Sequence, residues 1–322
     1  MSDVTGTSCI VKVSGIVPES DRTKSFELSA PDGGALPPFT AGAYIDLHLG
    51  NGLVRSYSLV NDQAERHRYV IAVQQETRGR GGSLYMHDAL RIGDILKADC
   101  PENRFRLRED AQNSVLIAGG IGITPLMAMA TRLQRLGRSW ELHYVVRTRQ
   151  GAAFIDVLAR LSQRTPSSVR LYATREGDAR PDIAAIMAAA GREAHVYCCG
   201  PLPMLKDFEA AASGRAPDHV HMERFSSEAA PALSGGFEVE LRRSGKVLAV
   251  APGKSILDTL LEHRVSVSFS CSEGVCGTCM TTVIDGIPDH RDQFLTDEEK
   301  AGNGSIMVCC SGARSRRLVL DL

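Results

Sequence analysis

The chain reads as a multidomain protein of three successive folds. An antiparallel β-barrel is expected over 1–108, a doubly wound α/β domain over 109–226 and, beyond a linker at 227–236, a small β-grasp-like domain over 237–322. Three observations predict this. Short strand-like segments separated by Gly, Pro and Asp turns fill the first hundred residues, as in antiparallel barrels. From about 113 apolar strands alternate with helical stretches, the pattern of a parallel sheet. Near the end, Cys271-x4-Cys276-x2-Cys279 is followed by Cys309 thirty residues on.

The elements follow in order. Ile10-Val-Lys-Val-Ser, Ser25-Phe-Glu-Leu, Tyr44-Ile-Asp-Leu-His-Leu and Tyr69-Val-Ile-Ala-Val are strands by alternation and β-branched or aromatic content. A helix follows Ser83, through Leu84 to Leu90. Val115-Leu-Ile-Ala opens the second domain and runs through Gly119-Gly120-Ile-Gly122 into a helix; Glu141–Val146, Val169–Ala173 and His195–Cys199 repeat the unit. Residues 226–236, Ser-Ser-Glu-Ala-Ala-Pro-Ala-Leu-Ser-Gly-Gly, have linker composition. A hairpin then joins Phe237–Leu241 to Lys246–Val250 across Ser244-Gly245. Ser255 with Asp258, and Thr296 with Glu299, are capping-box signatures that start two helices. Ser305-Ile-Met-Val-Cys309-Cys310 reads as a strand.

Composition narrows the function. Hydrophobic content of 43%, charged content of 23% and a net charge of −1 are those of an ordinary globular protein, with no basic surplus for nucleic acid or anionic membrane. The first residues, Met-Ser-Asp-Val-Thr-Gly, lack the basic-then-apolar pattern of a signal peptide, and Val115–Ala130 is too short and too interrupted to span a bilayer. Nine cysteines, an odd number, argue against a disulfide framework and for a reducing cytoplasm. No internal repeat is present. The nine histidines form no His-x3-His pair, and Arg314, Arg316 and Arg317 read as a solvated basic face.

The cysteine spacing carries the most chemistry. It is that of a plant-type [2Fe–2S] centre, in which each of two irons takes two thiolates. Gly274 and Gly277 let the loop fold tightly and turn N–H groups toward sulfur. A zinc site would pair two short Cys-x2-Cys hairpins or add histidines, and neither is here. Such a centre passes one electron at a time.

Two anion-type features lie in the barrel. In Arg55-Ser-Tyr57-Ser58-Leu59 a guanidinium suits phosphate oxygens, Tyr57 offers a flat face and Ser58 a hydroxyl; the plainer reading is an ordinary edge strand. Gly79-Arg-Gly81-Gly82-Ser83 opens a helix and aims backbone donors outward. In the α/β domain, Gly119, Gly120, Gly122, Thr124 and Pro125 form a strand-to-helix turn that a pyrophosphate can approach, and Cys199-Gly200-Pro201 forms a second turn at another strand end. A core thiol is the plainer reading of Cys199.

Arg-x-Tyr-Ser-Leu, Gly-Gly-Ile-Gly-Ile-Thr-Pro, Cys-Gly-Pro and the cysteine loop, in that order, resemble the phthalate dioxygenase reductase and vanillate O-demethylase reductase family over essentially the whole chain. The resemblance implies a ferredoxin–NADP+ reductase-like core with a ferredoxin fused at its C-terminus. It implies FMN rather than FAD, with phosphate held by Arg55, Gly81, Gly82 and Ser83. Tyr57 and Ser58 would lie against the ring, and Phe225 would cover its other face. It implies NAD(P)H at Gly119, Gly120, Gly122, Thr124, Pro125, Arg175, Cys199, Gly200 and Pro201. Thr174-Arg175 is similar to a 2′-phosphate site, while Glu176 and Asp178 suit the ribose hydroxyls of NADH; the family favours NADH. Cys271, Cys276, Cys279 and Cys309 would hold the cluster, with Cys309 chosen over Cys310 by family spacing. His290-Arg-Asp-Gln-Phe-Leu-Thr resembles the family's ferredoxin domain and supplies no ligand.

The implied function is transfer of electrons from NADH through FMN and the cluster to a terminal Rieske-type oxygenase. No residue acts as acid or base. The protein is expected to be monomeric. A redox sensor without turnover, and a self-contained oxidase, are the readings set against it. No segment remains for haem or mononuclear iron.

Overall fold

The computed structural model describes residues 8–77, 81–162, 168–227 and 229–322. The chain divides into two compact units, Met1–Glu223 and Arg224–Leu322.

The first unit begins with six antiparallel strands: β1 (Ser8–Pro18), β2 (Thr23–Ser29), β3 (Tyr44–His48), β4 (Val54–Ser58), β5 (Arg68–Gln74) and β6 (Ile95–Asp99). Helix α1 (Gly82–Asp88) stands between β5 and β6. The sheet order is β4-β3-β6-β1-β2-β5. Its two edges meet through the Leu59↔Ile71 bridge and the Val60 N–H to Val70 O bond of 2.8 Å, which curls the sheet into a barrel. Inward positions Val11, Val13, Phe26, Leu28, Ile45, Leu47, Leu59 and Ile71 fill it, the period-2 arithmetic of a half-buried strand.

A second sheet follows within the same unit. Its parallel strands are β7 (Asn113–Gly119), β8 (Ser139–Val146), β9 (Ser168–Ala173), β10 (His195–Cys199) and β11 (Val220–Glu223), in the order β11-β10-β7-β8-β9. The connecting helices are α2 (Ile123–Arg135), α3 (Ile155–Ser162), α4 (Ile183–Ala190) and α5 (Leu202–Ala211). The chain winds outward from β7 to β9, then crosses back to β10, so the order reverses between β7 and β10. Ligands of open α/β sheets bind at such a reversal. Barrel residues Ala41, Val60, Ala72 and Phe105 share one core with α2 and β8.

The second unit carries β12 (Phe237–Leu241), β13 (Val247–Val250), α6 (Ile256–Glu262), β14 (Met280–Asp285), β15 (Pro288–Asp289), α7 (Asp297–Gly302), β16 (Ser305–Met307), β17 (Gly312–Ala313) and β18 (Arg317–Leu320). The first and last strands, β12 and β18, pair in parallel at the centre of the sheet, as a β-grasp requires. Both capping boxes expected from the sequence form, Ser255/Asp258 ahead of α6 and Thr296/Glu299 ahead of α7. Part of the expected linker is bonded into this unit: Ala232 N–H donates to Cys310 O and Gly236 N–H to Val250 O. Arg317 pairs with Glu238 and Glu240, and Arg314 with Asp289, so two of the three basic-run arginines sit in surface ion pairs. Among the described residues no helix is long and apolar enough to cross a membrane.

One expectation needs correction. The strand expected over 305–310 stops at Met307. Cys310 N–H (3.3 Å) and Ser311 N–H (3.0 Å) both donate to Met307 O, so residues 308–310 form a turn. Alternation of faces therefore does not apply to Cys309 and Cys310.

Candidate redox site

The barrel contributes a cradle built on β4 and α1. A Cβ on Gly82 would lie 2.7 Å from Arg55 Nε and 2.9 Å from its Cγ, so only glycine lets the arginine lie across the first turn of α1. Gly81 is the N-cap, with φ of +82°, and no side chain caps the free N–H groups of that turn. Ser83 Oγ accepts from Glu76 N–H at 3.0 Å, donates weakly to Glu76 O at 3.4 Å and is half-buried. A guanidinium, a hydroxyl and uncapped backbone donors thus converge, which is the donor set a phosphate monoester needs. Tyr57 lies on the same strand with its phenol pKa raised by burial, and Ser58 is buried. Gly79 and Arg80, the start of the glycine turn, fall outside the described residues.

At the sheet reversal two turns interlock. A Cβ on Gly122 would lie 2.1 Å from Cys199 O and 2.9 Å from Gly200 N, and one on Gly119 would lie 2.5 Å from Pro201 Cδ. The β7 and β10 turns therefore touch backbone to backbone. Thr124 and Pro125 are buried, and the Thr124 hydroxyl donates to Ile121 O at 2.9 Å. They shape the turn from beneath.

Sequence reasoning missed what stands beside Cys199. β10 and β11 are in register, Tyr197 opposite His221 and Cys199 opposite Glu223. His195 Nδ1 and His221 Nε2 are 3.0 Å apart, so one of them carries the shared proton. Tyr197 stacks on His221 at 4.4 Å and its hydroxyl accepts Arg108 N–H at 2.9 Å. Farther along, burial raises the Cys199 thiol well above its ordinary range, with Glu223 as a contributing negative charge. Glu223 Oε2 is shut off from solvent and has no hydrogen-bond partner among the described residues, and desolvation pushes this carboxyl up to about 8. Burial also lowers the His195 pKa and brings His221 down to about 4. The alternation His221-x-Glu223-x-Phe225 was the available signal. Phe225 belongs to the second unit and is 40% exposed.

In the second unit the four expected ligand thiols form two pairs. Cys271 is hydrogen-bonded to Cys276, and Cys279 to Cys309. Glu273 N–H donates to Cys271 Sγ at 3.2 Å, and the Val275 N–H also points at that sulfur. The Thr278 N–H serves Cys276. Among the described residues no three His, Cys, Asp or Glu side chains converge as for a single ion. Two pairs of thiols with inward N–H donors fit a two-iron centre instead. Cys310 is buried, with Sγ 3.9 Å from Met307 O and 3.8 Å from Ser311 Oγ; it neighbours Cys309 and packs against Gly274 of the loop, where an added Cβ would lie 2.5 Å from its sulfur.

Fold and donor sets define a class: an NAD-binding iron–sulfur oxidoreductase with a ferredoxin–NADP+ reductase-like core. The comparisons agree. Residues 239–314 match the model of the 2Fe-2S iron-sulfur cluster binding domain, and 116–210 that of the oxidoreductase NAD-binding domain. The chain is similar to the phenoxybenzoate dioxygenase subunit beta of Ectopseudomonas oleovorans, at 50% identity over 97% of each chain. It is 46% identical to the tetrachlorobenzoquinone reductase of Sphingobium chlorophenolicum, covering 92% of this chain and 93% of that one. The solved structure of phthalate dioxygenase reductase, described as modular for electron transfer from pyridine nucleotides to [2Fe–2S], superposes with a TM-score of 0.83 at 38% identity over 98% of each chain. The chain belongs to the phthalate dioxygenase reductase family. Its cofactors are accordingly FMN, a [2Fe–2S] cluster and NADH.

Three outcomes follow from these sites. Arg55→Ala should weaken FMN binding by roughly 1.5–3 kcal/mol, the worth of charge-assisted hydrogen bonds, read from flavin fluorescence on titration; unchanged affinity would remove Arg55 from the phosphate site. Cys309→Ser should lose the visible absorbance and EPR signal of a centre near about −400 mV, whereas Cys310→Ser should keep both; the opposite result would exchange their roles. Glu223 has a folded pKa above its unfolded value, so it stabilises the fold at low pH and loses that contribution as pH rises from about 4.5 through about 8. Glu223→Gln should therefore raise Tm relative to the native chain at pH 8 and converge with it near pH 4.5. Parallel Tm curves would show that the carboxyl is already ionised.

Proposed function

We propose that this chain is the reductase component that delivers electrons from NADH, singly, to a terminal Rieske-type oxygenase. The observation that carries the reading is the two-pair thiol loop in the same chain as the interlocked glycine turns. A thiol loop of that kind is an exit for single electrons, and the turns are an entry for a dinucleotide. Bound FMN supplies the change from a two-electron hydride donor to one-electron steps, and the cluster supplies the one-electron exit.

The chain's own residues bind and orient. Arg55, Gly81, Gly82 and Ser83 hold the FMN phosphate, while Tyr57 and Ser58 lie against the ring. Gly119, Gly120, Gly122, Gly200 and Pro201 receive the dinucleotide, with Thr124 and Pro125 shaping the turn below and Arg175 at the adenosine end. Cys199 marks the nicotinamide position, and its un-ionised thiol keeps that surface neutral and dry. Glu223, un-ionised at neutral pH, is the nearest group able to hold a proton beside it. Cys271, Cys276, Cys279 and Cys309 hold the cluster. The functional division proposed is 1–108 for FMN, 109–226 for NAD(P)H and 237–322 for the cluster, joined by 227–236. No disulfide joins the cysteines among the described residues; we take the site of action to be the cytoplasm and the working form to be a monomer.

The relative named for tetrachlorobenzoquinone reduction motivates a second reading, in which a quinone takes electrons from the same chain directly. Removal of 237–322 separates the two. The shortened protein should still oxidise NADH with ferricyanide, which takes electrons from flavin, yet fail to support oxygenase turnover. Wild-type oxygenase turnover by the shortened protein would refute the order flavin, cluster, oxygenase. Full quinone reduction by it would favour the second reading.

A further inference from the structure

The loops that leave β8 and β9 are sewn together. Thr174 N–H donates to Val146 O at 3.0 Å, the Thr174 hydroxyl to the same oxygen at 3.2 Å, and Arg175 N–H to Arg147 O at 2.8 Å. Inside this double loop one side chain spans two carboxylates. Arg149 Nη2 donates to Asp178 Oδ2 at 3.1 Å, and Arg149 Nε stands 3.6 Å from Glu176 Oε2. The Arg149 backbone N–H donates to Glu176 Oε1 at 3.0 Å. Asp178 Oδ2 also accepts Ala173 N–H at 2.8 Å. Both carboxylates that could serve ribose hydroxyls are thus engaged by the protein itself. Arg147 and Arg175 are exposed, and neither makes an ion pair among the described residues.

Position gives this arrangement its meaning. The glycine turn that receives the pyrophosphate closes β7, and Cys199 closes β10 on one side of it. A dinucleotide laid along the C-terminal edge, nicotinamide toward β10, places its adenosine over the ends of β8 and β9. Three guanidiniums and two carboxylates stand there. Arg149 offsets one of the two carboxylate charges, so with Arg147 and Arg175 the three guanidiniums leave this end of the sheet with one net positive charge.

We propose that Arg149 sets the nucleotide tolerance of this chain: by tying down Glu176 and Asp178 it leaves the adenosine end open to a 2′-phosphate, so that NADPH binds alongside NADH. The inference rests on the reading that this sheet edge is the nucleotide site. Arg149 acts as a positioning residue, through the two carboxylates. Without its side chain each carboxylate keeps a backbone N–H partner, Ala173 for Asp178 and residue 149 for Glu176, but loses the guanidinium that offsets its charge, and the uncompensated pair repels a 2′-phosphate. Because the groups are solvent-exposed, salt should narrow the difference.

The test is calorimetric binding of ADP-ribose and of 2′-phospho-ADP-ribose to the oxidised holoprotein, which needs no turnover. The native chain should bind both within about tenfold of each other, a difference of about 1.4 kcal/mol. Arg149→Ala should weaken the 2′-phosphorylated probe by about tenfold or more and leave ADP-ribose nearly unchanged. Adding Glu176→Gln and Asp178→Asn to that variant should recover the phosphorylated probe. Equal loss of both probes in Arg149→Ala would reduce the residue to a loop brace and overturn the proposal, as would no change in either. Failure of the native chain to bind either probe would instead overturn the nucleotide site itself, and the role of Arg149 with it.

Discussion

The contact on which the rest depends is the approach of Gly122 to the Cys199 carbonyl. No side chain fits there, since a Cβ would stand 2.1 Å from that oxygen. The two βα turns therefore fuse into one surface of backbone groups at the sheet reversal. A dinucleotide needs such a surface, because its pyrophosphate must reach N–H groups that any side chain would screen. The same contact fixes β10 against the start of α2. Cys199, and through the register Glu223 on β11, are thereby placed beside the turn. An alanine at 122 would push the turns apart and move thiol and carboxyl together.

Behind that surface runs a polar row that an apolar core would not be expected to tolerate. His195, Tyr197 and Cys199 on β10 face His221 and Glu223 on β11. Its costs are met by pairing at one end and by neutrality at the other. Tyr197 takes Arg108 N–H, and His195 shares a proton with His221. Burial keeps both imidazoles uncharged and Glu223 protonated. The segment carrying Arg108 also carries Glu109, which Arg132 of α2 grips with two bonds of 2.9 and 2.6 Å. Barrel and parallel sheet are thus tied through this connection as well as through their shared core. For His195 and His221 the linkage runs opposite to that of Glu223: their stabilisation is present above about pH 6.5 and fades as pH falls toward about 4. The row gives the first unit a stability limited at both ends of the pH scale.

What the sequence made legible was local. The capping boxes at Ser255 and Thr296, the glycine turn at 119–122, the hairpin at Ser244-Gly245 and the cysteine loop each act within a few residues, and each forms. The fold class followed because strand spacing is likewise a local signal. Features formed by two distant segments were not legible. Glu223 meets Cys199 only through the β10–β11 register. Arg149 reaches Glu176 and Asp178 only because two βα loops are sewn together, and the sequence showed those carboxylates without showing that they were occupied. The turn at 308–310 was hidden for another reason. Ile306-Met-Val is as apolar as any strand, and nothing local says that the chain must leave the sheet there.

That departure is what makes the four-thiol arrangement possible. A strand continued through Cys310 would turn Cys309 and Cys310 to opposite faces and carry one of them away from the loop. The turn instead brings Cys309 to Cys279 and packs Cys310 against Gly274. Leu257 N–H on Val308 O, and Ala232 N–H on Cys310 O, each 2.8 Å long, hold the turn from α6 and from the segment before β12. The fourth thiol is therefore positioned by residues from the start of the second unit, far in sequence from the turn itself. A cluster assembled there would draw its geometry from the completed fold of that unit and not from the Cys271–Cys279 loop alone. Metal insertion and folding of the second unit would then be coupled, and loosening Leu257 or Ala232 would disturb the position of Cys309 without touching the loop cysteines.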